Sequence, residues 1–126
     1  MSTTTTVYRV ETRYGFGPYA GNYEFLTKTQ LGLRNRICDV HEGSDDHPGI
    51  RNDPGLPNED YYCGFAELED AAAWFDGFGK ALRRASFHIS IYEIDPRHVR
   101  QGRTQLCFRL AEATFVRRIP TTEVIA

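Results

Sequence analysis

The sequence predicts an α+β domain: a mostly antiparallel sheet, one main broken helix and a long central loop. Three observations carry this. Strand-like alternation occurs once before residue 13 and three times after residue 86, so strands are grouped rather than interleaved with helices. One clear helical stripe lies between them. Residues 39–62 hold three prolines, three glycines and few apolar side chains, which argues against a regular element there. A chain of 126 residues is one domain. The expected division is a disordered N-terminal tail over 1–6, a globular domain over 7–120 that includes the acidic loop 39–62, and a C-terminal tail over 121–126.

Residues 7–12, VYRVET, alternate as a strand, with Tyr8, Val10 and Thr12 on one face and Val7, Arg9 and Glu11 on the other. Gly15, Gly17, Pro18 and Gly21 then break regular structure. Residues 24–36 have room for a short helix, but their apolar spacing is poor. The clearest helix runs over 66–74, where Leu68, Ala71, Ala72 and Phe75 follow helical spacing and Glu67, Glu69 and Asp70 sit at the positive end. Gly77 and Gly79 interrupt it, and Phe78 and Leu82 continue the stripe to Arg84. Residues 87–95, FHISIYEID, alternate and are closed by Pro96. A polar connection follows over 97–103. A strand over 104–110 points Leu106, Phe108 and Leu110 to one side. A last strand over 113–119 points Ala113, Phe115 and Ile119 inward.

Hydrophobic residues at 40% are enough for a core, and no apolar run approaches membrane-spanning length. The Thr-rich start has neither the basic nor the apolar region of a signal peptide. Three cysteines, Cys38, Cys63 and Cys107, are an odd count without a C-x-x-C pair, which argues against a disulfide framework or a structural zinc site and for reduced thiols in a cytoplasm. Cys63 and Cys107 read as small core residues. A net charge of −2 predicts no general attraction to nucleic acid, although the middle of the chain is acidic and residues 76–119 are basic. His41 and His47 stand near Asp45 and Asp46, but the spacing matches no metal-ligand pattern, and a solvated loop explains it better. The aromatic groups Tyr14, Phe16, Tyr19, Tyr23, Phe25 and Tyr61, Tyr62, Phe65 would stack on a planar ring if they met in one cleft; core packing explains most of them otherwise.

The segments YRVET from Tyr8, GFGPYAG from Gly15, HPGIRNDPG from His47, CGFAELEDAAAWF from Cys63, IYEID from Ile91 and GRTQLCF from Gly102 together resemble a family of small proteins encoded by bacteriophages and prophages. The order of elements is also similar to that of compact ADP-ribosyltransferase-like domains. That resemblance implies NAD as the cofactor. Arg9, on the first strand, would hold it together with Tyr14 and the middle element Cys63, Phe65 and Ala66. Gln105 would stand beside the nicotinamide ribose, where such domains carry Glu or Gln. Gln105 keeps the hydrogen bond but has no charge, so Glu93 and Glu112 are the candidate substitute acids. Separately, Phe65 and Ala66 occupy the place of the Ser or Thr expected in the middle element. Arg9 has a plainer use as the ion-pair partner of Glu11 or of an acid in the central loop.

Two functions stay level on the sequence. One is an NAD-binding, ADP-ribosyltransferase-like domain that modifies a host target. The other is a non-enzymatic inhibitor that blocks a host defence or regulatory complex by protein–protein contact. A third, weaker reading is nucleic-acid binding through Arg97, Arg100, Arg103, Arg109, Arg117 and Arg118. All three place the protein in the host cytoplasm.

Overall fold

The computed structural model describes residues 3–18, 26–41, 61–102 and 105–126. It is α+β, as the strand grouping predicts, but with two small sheets in place of one. The first sheet has the order β1 (Thr5–Thr12), β3 (Phe87–Ile94), β6 (Thr114–Pro120), all antiparallel. The second has the order β2 (Tyr62–Gly64), β5 (Leu106–Phe108), β4 (Val99–Gln101), also antiparallel. An isolated bridge between Tyr8 and Phe65 joins them: Tyr8 N donates to the Phe65 carbonyl at 2.9 Å, and Phe65 N to the Tyr8 carbonyl at 2.7 Å.

β3 is buried along most of its length because its two faces serve two cores. On one face Val10, Phe87 and Ile89 pack against helices α1 (Lys28–His41), α2 (Leu68–Trp74) and α3 (Gly79–Arg84). On the other, Val7, Tyr92 and Ile94 pack against Leu106 and Phe108 of the second sheet. Gly64 is fixed by this junction, since a Cβ there would lie 2.8 Å from Val7 Cγ1 and 3.1 Å from Phe108.

Helix α1 is longer than its apolar spacing suggests. Its start is a reciprocal cap: the Thr27 hydroxyl accepts from Gln30 N at 3.1 Å, and Thr27 N donates to the Gln30 side chain at 3.0 Å. Its buried stripe is Gln30, Leu33, Ile37 and His41. The spacing is helical, but both ends of the stripe are polar, so a count of apolar residues misses it. Gln30 is satisfied by donating to the Ala85 carbonyl at 2.9 Å. His41, expected in the acidic loop, lies instead in the last turn of this helix, against the rings of Trp74, Phe75 and Phe78. His47, Asp45 and Asp46 and most of the acidic loop lie outside the described residues, and among those described no group of His, Cys, Asp and Glu could hold a metal.

Four further expectations are corrected. The first strand begins at Thr5, so Thr5 and Thr6 are paired to Ile94 and Glu93 rather than part of a tail. The polar connection after Pro96 contains β4. In the last strand Phe115 and Ile119 do not share a face. A bulge opposite the Ile91–Tyr92 step inserts one extra residue, so Phe115 pairs with Tyr92 while Arg118 pairs with Ser90. Phe115 therefore meets the Tyr92 ring, whereas Ile119 packs on the helix-side core. The C-terminal residues are not frayed: Thr121 and Ile125 are buried, the Thr121 hydroxyl donates to the Gly79 carbonyl, and Gly77 N and Gly79 N both donate to the Ala126 carbonyl.

Candidate functional site

Strand β1 is an edge of the first sheet, and the bridge to Phe65 covers only part of that edge. Beyond the bridge a cleft of about 270 Å³ opens. One wall is aromatic, built by Phe65, Trp74 and Phe75, whose rings pack with centroids 5.7 Å (Phe65–Trp74) and 6.2 Å (Phe65–Phe75) apart. Arg9, Cys63 and Gln105 also line it. The turn after β1, from Gly15 to Pro18, and Tyr61 and Tyr62 complete the lining together with Val10.

Arg9 is buried, and three of its donors are committed. Nε bonds Glu11 Oε1 at 2.8 Å, Nη1 bonds the Cys63 carbonyl at 2.8 Å, and Nη2 bonds the Gly15 carbonyl at 3.0 Å. Period-two alternation puts Arg9 and Glu11 on one face of the strand, which makes the ion pair local. The guanidinium lies over the Tyr62 ring, 5.1 Å from its centroid. It thus ties β1, the turn after it and β2 together. Gly17 lets that turn come close: a Cβ there would stand 3.2 Å from Nη2.

Behind the guanidinium, Glu11 is also buried and accepts a bond from the Tyr92 hydroxyl across the β1–β3 ladder. Burial, then the hydrogen bond and charge of Glu11, push the Tyr92 phenol up to about 12. Next along the same face, His88 is pushed below its usual range, first by burial and then by the Arg118 charge. In the cleft, burial pushes the Cys63 thiol up against the opposing pull of Arg9, so Cys63 is a protonated thiol rather than a ready nucleophile at neutral pH.

Four residues singled out in the sequence, Arg9, Cys63, Phe65 and Gln105, therefore meet in one cleft. Four others, Tyr14, Ala66, Glu93 and Glu112, do not. Tyr14 is 70% exposed and packs on Arg13, whose guanidinium donates to its hydroxyl at 2.7 Å. Ala66 is exposed just ahead of α2 and does not line the cleft. Glu93 is paired with Thr6, an odd number of positions along β1 from Arg9, and so lies on the opposite sheet face; its carboxylate accepts from the Thr4 and Thr6 hydroxyls at 2.8 and 2.7 Å. Glu112 is exposed, 3.9 Å from His98. Among the described residues lining the cleft there is no carboxylate.

Of the aromatic groups, Phe16, Tyr61, Tyr62 and Phe65 reach the cleft, while Tyr19, Tyr23 and Phe25 lie outside the described residues. Trp74 and Phe75, read in the sequence as a helix stripe, form the cleft wall as well as the core. The arginines do not make one stripe. Arg97 pairs with Asp95, Arg109 lies over the Tyr61 ring, Arg117 and Arg118 are on β6 of the other sheet, and Arg103 is outside the described residues.

Fold and site together define a small two-sheet α+β protein with an aromatic-walled cleft, lined by no carboxylate among the described residues, beside a buried arginine clasp. The chain belongs to the Bacteriophage T4 Y00F protein family, whose model matches residues 1–122. No curated protein and no solved structure matches the chain, so the similarity of layout to ADP-ribosyltransferase-like domains finds no relative behind it. Among the described residues no helix is long and apolar enough to cross a membrane.

Proposed function

We propose that this phage protein binds a planar-ring ligand of the nicotinamide- or adenine-nucleoside class in the Arg9–Gln105 cleft without transferring ADP-ribose. The observation that carries this reading is the convergence of Arg9, Cys63, Phe65 and Gln105 on a cleft with no lining carboxylate among the described residues. Cleaving the nicotinamide–ribose bond builds positive charge on the sugar, and an adjacent carboxylate is what stabilises it. Gln105 supplies hydrogen bonds but no charge, and Glu93 faces away. Phe65 and Trp74 offer flat apolar surface for a ring. The Arg9 charge is already neutralised by Glu11, which weakens its hold on a phosphate. The volume, about 270 Å³, falls just below the roughly 300 to 1,000 Å³ of sites for drug-sized ligands, and fits a ring and sugar better than a whole dinucleotide.

Calorimetry with adenosine, nicotinamide riboside and NAD tests this directly. Saturable binding of a nucleoside, weakened by Gln105→Ala, is the expected result. The ligand reading ends if none of the three binds at millimolar concentration. Release of nicotinamide from NAD in the presence of host lysate would instead overturn the non-catalytic half.

A second reading, a host-protein binder acting in the host cytoplasm, is favoured by β6. This edge strand is exposed from Thr114 to Arg118, with Phe115 and Val116 about half exposed beside two arginines. Such an edge offers unpaired backbone groups to an acidic extended segment. The variant Arg117→Glu/Arg118→Glu should then lose a captured host partner that the wild type retains, and unchanged capture would remove the reading.

A further inference from the structure

The three cysteines look unrelated in the sequence, but the fold places two of them side by side. In the β2–β5 ladder Cys63 is the direct partner of Cys107. Both sulfurs are thiols. Residues directly opposite in an antiparallel pair have Cα atoms about 4.5 or 5.5 Å apart, according to the pair type, and point their side chains to the same face. Either spacing falls inside the roughly 4.4–6.8 Å window that a disulfide needs. The backbone is therefore already placed to accept the bridge.

We propose that Cys63 and Cys107 form a cross-strand dithiol, a modification site that closes to a disulfide when a peroxide reaches the cleft. The two positions are unequal, and this sets the order of events. Cys63 is half-buried and lines the cleft, whereas Cys107 is buried in the middle strand of the second sheet. The oxidant meets Cys63 first. Cys63 loses its thiol proton and the sulfur attacks a peroxide oxygen, the O–O bond breaks, and a sulfenic acid and one water form. Because burial keeps the thiol protonated, this step is slow at neutral pH and speeds up as pH rises. The Cys107 sulfur then attacks the Cys63 sulfur, the S–O bond breaks, and a second water leaves with the thiol proton. In sum, two thiols and one hydrogen peroxide give one disulfide and two waters. Cys107 acts as the resolving thiol, so Cys63 is carried to a bridge before further oxidation. Since the Cys63 carbonyl also holds Arg9, the bridge would stiffen the lining of the cleft at Arg9. The inference does not depend on which ligand that cleft takes.

The test is oxidation of the reduced full chain carrying Cys38→Ser with a slight excess of hydrogen peroxide. The expected product is monomeric and about 2 Da lighter. It has lost both thiols to a thiol reagent under denaturing conditions, yields a Cys63–Cys107 linked peptide on digestion, and returns to the starting mass with a reductant. In the Cys107→Ser protein the same treatment should leave Cys63 as a sulfenic acid, about 16 Da heavier, and a second equivalent of peroxide should carry it to the sulfinic acid, about 32 Da heavier. In the Cys63→Ser protein Cys107 should remain a thiol. The proposal is overturned if the two-thiol protein takes up oxygen at Cys63 while Cys107 stays reduced. It is overturned equally by disulfide-linked dimers as the main product.

Discussion

The two edges of the first sheet are treated in opposite ways. At the β1 edge, Tyr8 is bridged to Phe65, Arg9 holds the Gly15 and Cys63 carbonyls, and the neighbouring side chains are buried. At the β6 edge the strand is exposed from Thr114 to Arg118, and its irregularity is a bulge. An edge can thus be protected by covering it or by twisting and charging it. The covered edge makes a cleft, because a second sheet cannot follow the first along its whole length. The charged edge makes a surface. The comparison also separates two uses of arginine: Arg9 is an internal tie, while Arg118 lies over the Phe115 ring, 5.1 Å from its centroid, at the surface.

The largest expected effects lie at the covered edge. Phe65→Ala should lower unfolding free energy in urea by about 3 to 5 kcal/mol, through lost burial and an uncollapsed cavity. Glu11→Ala should cost about 3 to 5 kcal/mol as well, because it leaves the Arg9 guanidinium buried without its carboxylate. If Glu11→Ala costs under about 1 kcal/mol, the clasp is not what holds this edge. Gly64→Ala tests the junction of the sheets and should cost about 1 to 3 kcal/mol, since the new methyl meets Val7 and Phe108.

Titration sharpens the contrast further. The Tyr92 phenol should ionise near pH 12, read by absorbance at alkaline pH as the difference between the wild type and Tyr92→Phe. Its folded value is raised, so the stability it contributes is complete below the ordinary tyrosine value near 10 and is lost as pH rises towards 12. Replacing Tyr92 with Phe should remove that alkaline limb. The His88 value is depressed, so the corresponding contribution is complete above the ordinary histidine range and is lost as pH falls through and below it. Arg118→Ala should move the His88 imidazole back upward in an NMR titration. The smallest effect is at the open edge: Phe115→Ala should cost about 1 kcal/mol or less, its ring being half exposed. A loss matching that of Phe65→Ala would erase the distinction between the edges.

What the sequence made legible follows from how local each signal is. β3 and α2 could be read because alternation and helical spacing run unbroken through them. β6 could be placed but not oriented, since one inserted residue reverses the face of everything before it. α1 was hidden by Gln30 and His41, polar residues on a buried stripe. The Arg9–Glu11 pair was visible as neighbours on one strand face, whereas Tyr92 joins them only through the β1–β3 pairing. The cleft residues Arg9, Cys63, Phe65 and Gln105 were found from their order along the chain. Tyr14, Ala66 and Glu93 were chosen in the same way and lie elsewhere, because order along the chain does not specify the face on which a side chain emerges.

The pairing of β1 with β3 has a consequence for synthesis. The register joins Thr12 to Phe87 at one end and Thr5 to Ile94 at the other, so the first strand made waits for one translated much later. Until Phe87–Ile94 has left the ribosome, Val7 and Val10 have no ladder to join and the Glu11 carboxylate that holds Arg9 has no Tyr92 hydroxyl to accept from. Such distant pairing slows folding and lengthens the exposure of unpaired strand in the nascent chain. The Thr5–Thr12 strand is thus made early and paired late.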